Sequence, residues 1–135
     1  MFILSKILSS GSNVPEPVKL PPAPDMSFKY GSALVVREGM VFNAMADEMP
    51  AYICGENVSG TTPKSITCYP ITSDMIFETT LKGDPANIYV GDKVKLSVEL
   101  GSATGVSDVT TDGFITIFNL NGAKKSGDKI YVRFN

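Results

Sequence analysis

The sequence predicts an all-β fold, a small antiparallel β-sandwich or barrel with an extended N-terminal arm, and three features carry that prediction. The first is a turn-and-strand cassette that occurs twice, as Gly91-Asp92-Lys93-Val94-Lys95-Leu96 and Gly127-Asp128-Lys129-Ile130-Tyr131-Val132. In each, the Gly-Asp step turns the chain where positive φ is needed, and the alternation behind it places every second side chain on one face of a strand. The second is a series of short alternating segments from Asp25 onward, separated by turn residues. The third is a head of different composition, so the chain divides into an arm over residues 1–24 and a β-domain over residues 25–135.

The arm begins with an apolar tip, Phe2, Ile3, Leu4, Ile7 and Leu8. Lys6 interrupts this tip and no positive segment precedes it, so it reads as mature protein rather than a secretory signal. Ser9-Ser10-Gly11-Ser12 follows as a flexible polar stretch, and then five of the nine prolines fall between Pro15 and Pro24. Proline fixes φ and removes donors, which favours an extended, polyproline-like course over Val14 to Pro24. Such a head is either a solvated tail or an arm whose tip docks on another subunit, at a reach of roughly 80 Å when fully extended. The apolar tip makes Phe2, Ile3, Leu4, Ile7 and Leu8 the candidate partner-binding residues. A chain starting at Asp25 is expected to fold without them.

In the β-domain, residues 32–36 and 40–44 flank Arg37-Glu38-Gly39, which reads as a three-residue hairpin turn. Residues 51–55 and 65–71 flank a loop centred near Thr61. Over residues 75–81, Met75, Phe77, Thr79 and Leu81 share one face. Over residues 93–100, Val94, Leu96, Val98 and Leu100 point inward and the intervening residues outward. Residues 114–118 are apolar on both faces and read as central, while residues 129–134 close the chain with Ile130, Val132 and Phe134 buried. The expected core is Val94, Leu96, Val98, Ile115, Ile117, Ile130, Val132 and Phe134. A helical turn is allowed at most around residues 44–49, and residues 106–111 are too rich in Ser and Thr to place.

Composition narrows function mainly by exclusion. The 135 residues suffice for one domain with a core, 43% are apolar and only 19% charged, and the net charge is −2. Nothing resembles the basic stripe of a nucleic-acid or anionic-membrane binder, and no apolar run approaches a membrane span. The chain has no His, the commonest general base and zinc ligand, and no Trp for sugar stacking. The prior therefore moves away from enzymes, and no catalytic residue, metal ligand set or cofactor motif is assigned.

Several constellations have structural readings that outweigh the chemical ones. Cys54 and Cys68 fall almost opposite one another if residues 51–55 pair with residues 65–69, which allows a cross-strand disulfide. In a reducing cytoplasm two buried thiols are favoured, and two cysteines without His cannot complete a zinc site. Asp108 and Asp112 lack the spacing and closing Glu of a calcium loop. Asp84, Asp92 and Asp128 sit beside glycines as turn residues. Asn57-Val58-Ser59 matches a glycosylation triplet that is common by chance, and the residues from Gly101 to Gly105 lack the glycines and Lys of a phosphate loop.

Over Gly91 to Phe134 the chain resembles the capsid decoration (cement) proteins of tailed bacteriophages. The resemblance rests on Val90-Gly91-Asp92-Lys93-Val94, on Thr111-Asp112-Gly113-Phe114-Ile115-Thr116-Ile117, and on the closing run from Ala123 through Gly127-Asp128-Lys129-Ile130-Tyr131-Val132-Arg133-Phe134. Val36-Arg37-Glu38-Gly39-Met40-Val41 and Ala51-Tyr52-Ile53-Cys54-Gly55 are similar to the family's early hairpin and next strand. The proline-rich arm is not part of that pattern. The resemblance implies a non-enzymatic virion protein, often a trimer, made in the bacterial cytoplasm and bound to the major capsid protein on the capsid exterior. A bacterial-surface or phage-fibre β-domain binding a glycan or host protein is the alternative, and an exposed aromatic cluster would mark it.

Overall fold

In the computed structural model, which describes residues 1–8, 14–59 and 63–135, both Gly-Asp cassettes build the same turn. Gly91 and Gly127 sit at φ +94° and +98°. The Asp92 N–H donates to the Tyr89 carbonyl (3.0 Å), while the Tyr89 N–H donates to Asp92 Oδ2 (2.9 Å). The Asp128 N–H likewise donates to the Lys125 carbonyl (3.2 Å), and the Lys124 and Lys125 N–H groups donate to Asp128 Oδ2 at 2.9 and 3.2 Å. Each carboxylate thus satisfies the donors that its own turn would leave open.

The strands launched by these turns, β8 (Lys93–Val94) and β12 (Lys129–Phe134), lie on either side of β11 (Ile115–Asn119), both antiparallel to it. Val94, Ile115 and Phe134 fall in one row across the three strands and all are buried. Gly113 has to be glycine here, because a Cβ would lie 2.1 Å from the Lys93 carbonyl oxygen.

Nine further strands complete a twelve-stranded sheet: β1 (Ile3–Ile7), β2 (Val18–Leu20), β3 (Ala33–Arg37), β4 (Met40–Asn43), β5 (Tyr52–Cys54), β6 (Ile66–Pro70), β7 (Met75–Lys82), β9 (Leu96–Glu99) and β10 (Ser102–Ser107). The main path runs β2-β6-β5-β3-β10-β7-β12-β11-β8, with β1 on β7, β4 on β3 and β9 on β10. The fold is all-β, as the alternation predicts. The sheet is mixed rather than purely antiparallel, because β10 runs parallel to β7 from Gly105 opposite Thr80 to Ser107 opposite Lys82. It is not closed into a barrel. It curls so that the run Lys93–Glu99 pairs with β11 at its start and β10 at its end. The change of partner falls at Lys95, whose N–H donates to the Val109 carbonyl (3.2 Å) and whose carbonyl accepts from Ser107 N–H (2.9 Å).

The curl encloses the larger core, in which Phe77, Leu81, Val94, Leu96, Val106, Ile115, Ile117, Ile130, Val132 and Phe134 pack together. A smaller core of Phe28, Leu34, Val41, Cys54, Ile66 and Cys68 lies under β2–β6. Seven of the eight expected core residues are buried, and Val98 is not. Val98 is 40% exposed because β9 leaves the core toward its hairpin tip, where Leu100 and Gly101 form the turn at φ +50° and +80°. Leu100, expected inward, is 94% exposed.

Other expectations are corrected in detail. The β3–β4 turn has two residues, not three: Arg37 pairs with Met40, and Glu38 and Gly39 both take positive φ, the geometry that follows strand twist. The turn allowed around residues 44–49 is present and is not helical, held by Glu48 Oε1 accepting from Met45 N–H (2.9 Å). β10, to which the sequence assigned no element, is buried at Ser102, Ala103 and Val106. Gly105 lies so close to β7 that a Cβ would meet the Thr80 carbonyl oxygen at 2.5 Å.

The division at residue 24 also differs. β1 pairs antiparallel with β7, from Ile3 opposite Glu78 to Ile7 opposite Met75. β2 pairs with β6, Ala23 N–H donates to the Val41 carbonyl (2.8 Å), and Val41 N–H donates to the Pro21 carbonyl (2.9 Å). The proline segment is extended, as its composition requires, but it runs along the sheet rather than away from it. Its prolines cluster around β2, an edge strand where a missing N–H costs no ladder bond. The Ser9–Ser12 stretch and the centre of the loop near Thr61 lie outside the described residues.

Candidate functional site

Strand pairing places the five apolar residues of the arm tip individually. Phe2 is 3% exposed, its ring 5.2 Å from that of Phe134, which in turn stands edge-on to Phe77 at 5.3 Å. Leu4 and Ile7 are half-buried against the same core, whereas Ile3 and Leu8 are exposed. The register slips between Leu4 and Lys6, so Ser5 is an extra residue. This bulge returns Ile7 to the inner face and lets Lys6 sit over the Phe118 ring, 5.6 Å from its centroid. In this chain Phe2 is therefore committed to its own core, and Ile3 and Leu8 are the tip residues that face outward.

Beneath β1 lies an apolar cavity of about 270 Å³, walled by Phe2, Leu4, Ile53 and Met75 and rimmed by Tyr30 and Tyr69. Both tyrosines are partly exposed, at 49% and 38%. Tyr30 is held by its N–H donating to Asn57 Oδ1 (3.0 Å).

Several turns present large apolar groups to solvent, among them Met45 in the segment over residues 44–50, 63% exposed. Leu100 stands at the β9–β10 tip, and Tyr89 and Val90, at 72% and 62% exposure, project from the turn before β8. Sequence alternation put Leu100 inside. The available signal was the Leu-Gly step between two alternating runs, which marks a two-residue turn.

Asp84, Asp92, Asp108 and Asp128 accept from backbone N–H groups. Asp84 Oδ1 accepts from Ala86 N–H (3.0 Å), capping a short 3-10 turn over Pro85–Asn87. Asp108 Oδ2 accepts from Asp84 N–H (3.0 Å) and Asn87 Nδ2 (3.3 Å), which holds its carboxyl below the usual range. The Lys124 and Lys125 N–H groups do the same for Asp128. Asp112 stands at φ +55° in the turn before Gly113. Among the described residues no three of His, Cys, Asp and Glu gather into a metal-holding group. Lys95 is raised by its bond to Asp47 (2.7 Å), and Arg37 pairs with Glu48, so two ion pairs fasten residues 44–50 to the sheet.

Cys54 and Cys68 are free thiols, directly opposed on β5 and β6 and both buried. Burial pushes the Cys54 thiol up; burial and then the neighbouring Cys54 push Cys68 up to about 12. Both shifts favour the protonated thiol, so in the folded chain each is a slow nucleophile at neutral pH.

The arrangement thus offers apolar contact surfaces on a sheet, with Asp84, Asp92, Asp108 and Asp128 built into its turns. Comparison with protein-family models, curated proteins and solved structures found no match to this chain.

Proposed function

We propose that this chain is a structural virion protein that binds the outside of a bacteriophage capsid and stabilises the shell, without enzymatic activity or cofactor. The observation that carries the reading is where the resembling residues fall. The two Gly-Asp turns and the Asp112-Gly113 turn hold β8, β11 and β12 in one register, so the residues that carry the resemblance form one connected framework, which supports the reading. The exposed Leu100, Tyr89 and Val90 are the apolar points through which such a domain would touch the major capsid protein. Each contact is small. Repetition by symmetry makes the sum firm, since every later contact on a shared lattice is effectively intramolecular. A homo-oligomer, with a trimer favoured, fits that use.

Mixing purified protein with undecorated phage shells tests the reading. Co-sedimentation and new density on the outer surface in electron micrographs are expected. Shells that sediment without the protein at physiological salt would sink it.

A second reading, a surface or fibre domain that binds a glycan or host protein, draws on Tyr30 and Tyr69, which rim one cavity and leave ring surface open for stacking. Retention on immobilised glycans, abolished by Tyr30→Ala, would favour it over the shell.

A further inference from the structure

We infer that Cys54 and Cys68 form an oxidation site, closing as a cross-strand disulfide when the chain folds in an oxidising medium. The backbone hydrogen bonds identify the pairing type. Cys54 N–H donates to the Ser32 carbonyl (2.8 Å) and the Cys54 carbonyl accepts from Gly31 N–H (2.8 Å), so both its backbone groups face β3. Toward β6 the bonds are made by its neighbours: Gly55 N–H donates to the Thr67 carbonyl (2.8 Å) and Ile71 N–H to the Ala51 carbonyl (3.0 Å). Cys54 opposite Cys68 is therefore a non-hydrogen-bonded pair.

In such pairs the Cα atoms stand about 4.5 Å apart with side chains on the same face, inside the range of about 4.4–6.8 Å that a disulfide spans. Both thiols belong to the smaller core, between Ile66, Leu34 and Val41, so they share that face. At present each thiol donates to a carbonyl two residues away on its own chain segment, Cys54 Sγ to Glu56 (3.0 Å) and Cys68 Sγ to Ile66 (3.6 Å). Closing the bond asks for side-chain rotation, not movement of a strand.

The chemistry is thiol–disulfide exchange with a small-molecule disulfide. One cysteine thiolate attacks the reagent, forming a mixed disulfide and releasing one thiolate. The second cysteine then attacks the protein sulfur of that mixed disulfide and releases the other thiolate. Two cysteine thiols are oxidised, one reagent disulfide is reduced to two thiols, and the two cysteine protons end on those products. Burial and the raised thiols make the folded chain slow to start this exchange, which keeps the pair reduced where it is made. The site stands independently of the virion reading.

The test is to unfold the whole chain in urea, refold it in a buffer of oxidised and reduced glutathione, and alkylate after denaturing. The expected product is a monomer that takes no alkyl label and weighs two hydrogens less than the reduced chain. Closing a fifteen-residue loop should raise its Tm by roughly 10 °C over the reduced form. Cys68→Ser should melt alike in either redox state. Two labels after refolding, a bond joining two chains, an oxidised monomer that melts below the reduced one, or a redox-dependent rise kept by Cys68→Ser would each overturn the assignment.

Discussion

Replacing Phe2 with Ala measures whether the head of the chain belongs to its own sheet. Its ring is almost wholly out of water and packs on Phe134, which leans on Phe77. Removing a buried Phe costs about 3–5 kcal/mol in lost transfer energy and cavity, and the ring pair is worth about 0.5–1.5 kcal/mol within that figure. The loss has a ceiling, because once it exceeds the docking free energy of β1 the strand detaches and no further penalty accrues. Against a total stability of about 5–15 kcal/mol, the expected fall in Tm is roughly 10–20 °C. Ile3→Ala, at an exposed site on the same strand, is expected to cost under about 1 kcal/mol. Thermal and urea melts of the two variants at several protein concentrations decide the matter. A Phe2→Ala chain that melts like the parent would refute docking of β1. A melt that shifts with concentration would instead place the strand on a neighbouring copy. By the same reasoning, a chain beginning at Asp25 loses β1 and β2 together, bares the edge of β7 and uncovers Phe134. It is now expected to fold poorly, opposite to the sequence-based expectation, and circular dichroism of the truncated chain checks this.

Four further outcomes are expected. Leu96→Ala, at a site 1% exposed, should lower stability by about 2–5 kcal/mol in urea melts, while Val98→Ala, two residues along, should cost under about 1 kcal/mol. Gly105→Ala, whose methyl group would press on the Thr80 carbonyl, should cost about 1–3 kcal/mol and weaken amide-exchange protection in β7 and β10. Asp108 and Asp128 carry lowered folded pKa values, so the unfolded chain binds protons first as pH falls. Their contribution is present above about pH 4 and fades below it, and Asp128→Asn should flatten the decline of Tm between pH 5 and 2. Leu100→Asn should raise Tm by a few degrees, because Asn tolerates positive φ, and on the proposed function it should weaken shell binding in the co-sedimentation assay.

Much of the fold was legible because period two survives wherever one face is buried. Met75, Phe77, Thr79 and Leu81 on β7, and Ile130, Val132 and Phe134 on β12, are all inside. What was hidden has local causes. In β1 the bulge at Ser5 breaks the alternation between Leu4 and Ile7, so a strand reads as an irregular apolar tip. In β2 the flanking prolines announce an extended chain but say nothing about which edge it lies on. β10 is masked by its own crowding. It meets β3, β7 and β9, and a strand in that position needs Ser, Ala and Gly where an isolated strand would prefer branched residues. The arm residues were legible as apolar and extended. Their division into a buried Phe2 and an exposed Ile3 follows from pairing with β7, which is a long-range fact.

Positive backbone φ at non-glycine residues shows where this chain departs from its own rules. Among the described residues it occurs at Asp25, Glu38, Leu100, Asp112 and Asn121. Three of these are Asp or Asn, whose short polar side chains suit that region, and Glu38 is solvated in a tight hairpin turn. Leu100 alone puts a large aliphatic side chain there, at a cost of about 1–2 kcal/mol, and recovers none of it by burial within the chain. On the proposed function, a residue that is locally unfavourable and internally unrewarded has its use in contacts outside the fold. Leu100 also tops the hairpin β9–β10, whose second strand is anchored in the centre of the sheet against β3 and β7. Force applied at that tip would therefore be carried into the core rather than into a loop. That is the mechanical property a shell-stabilising subunit needs.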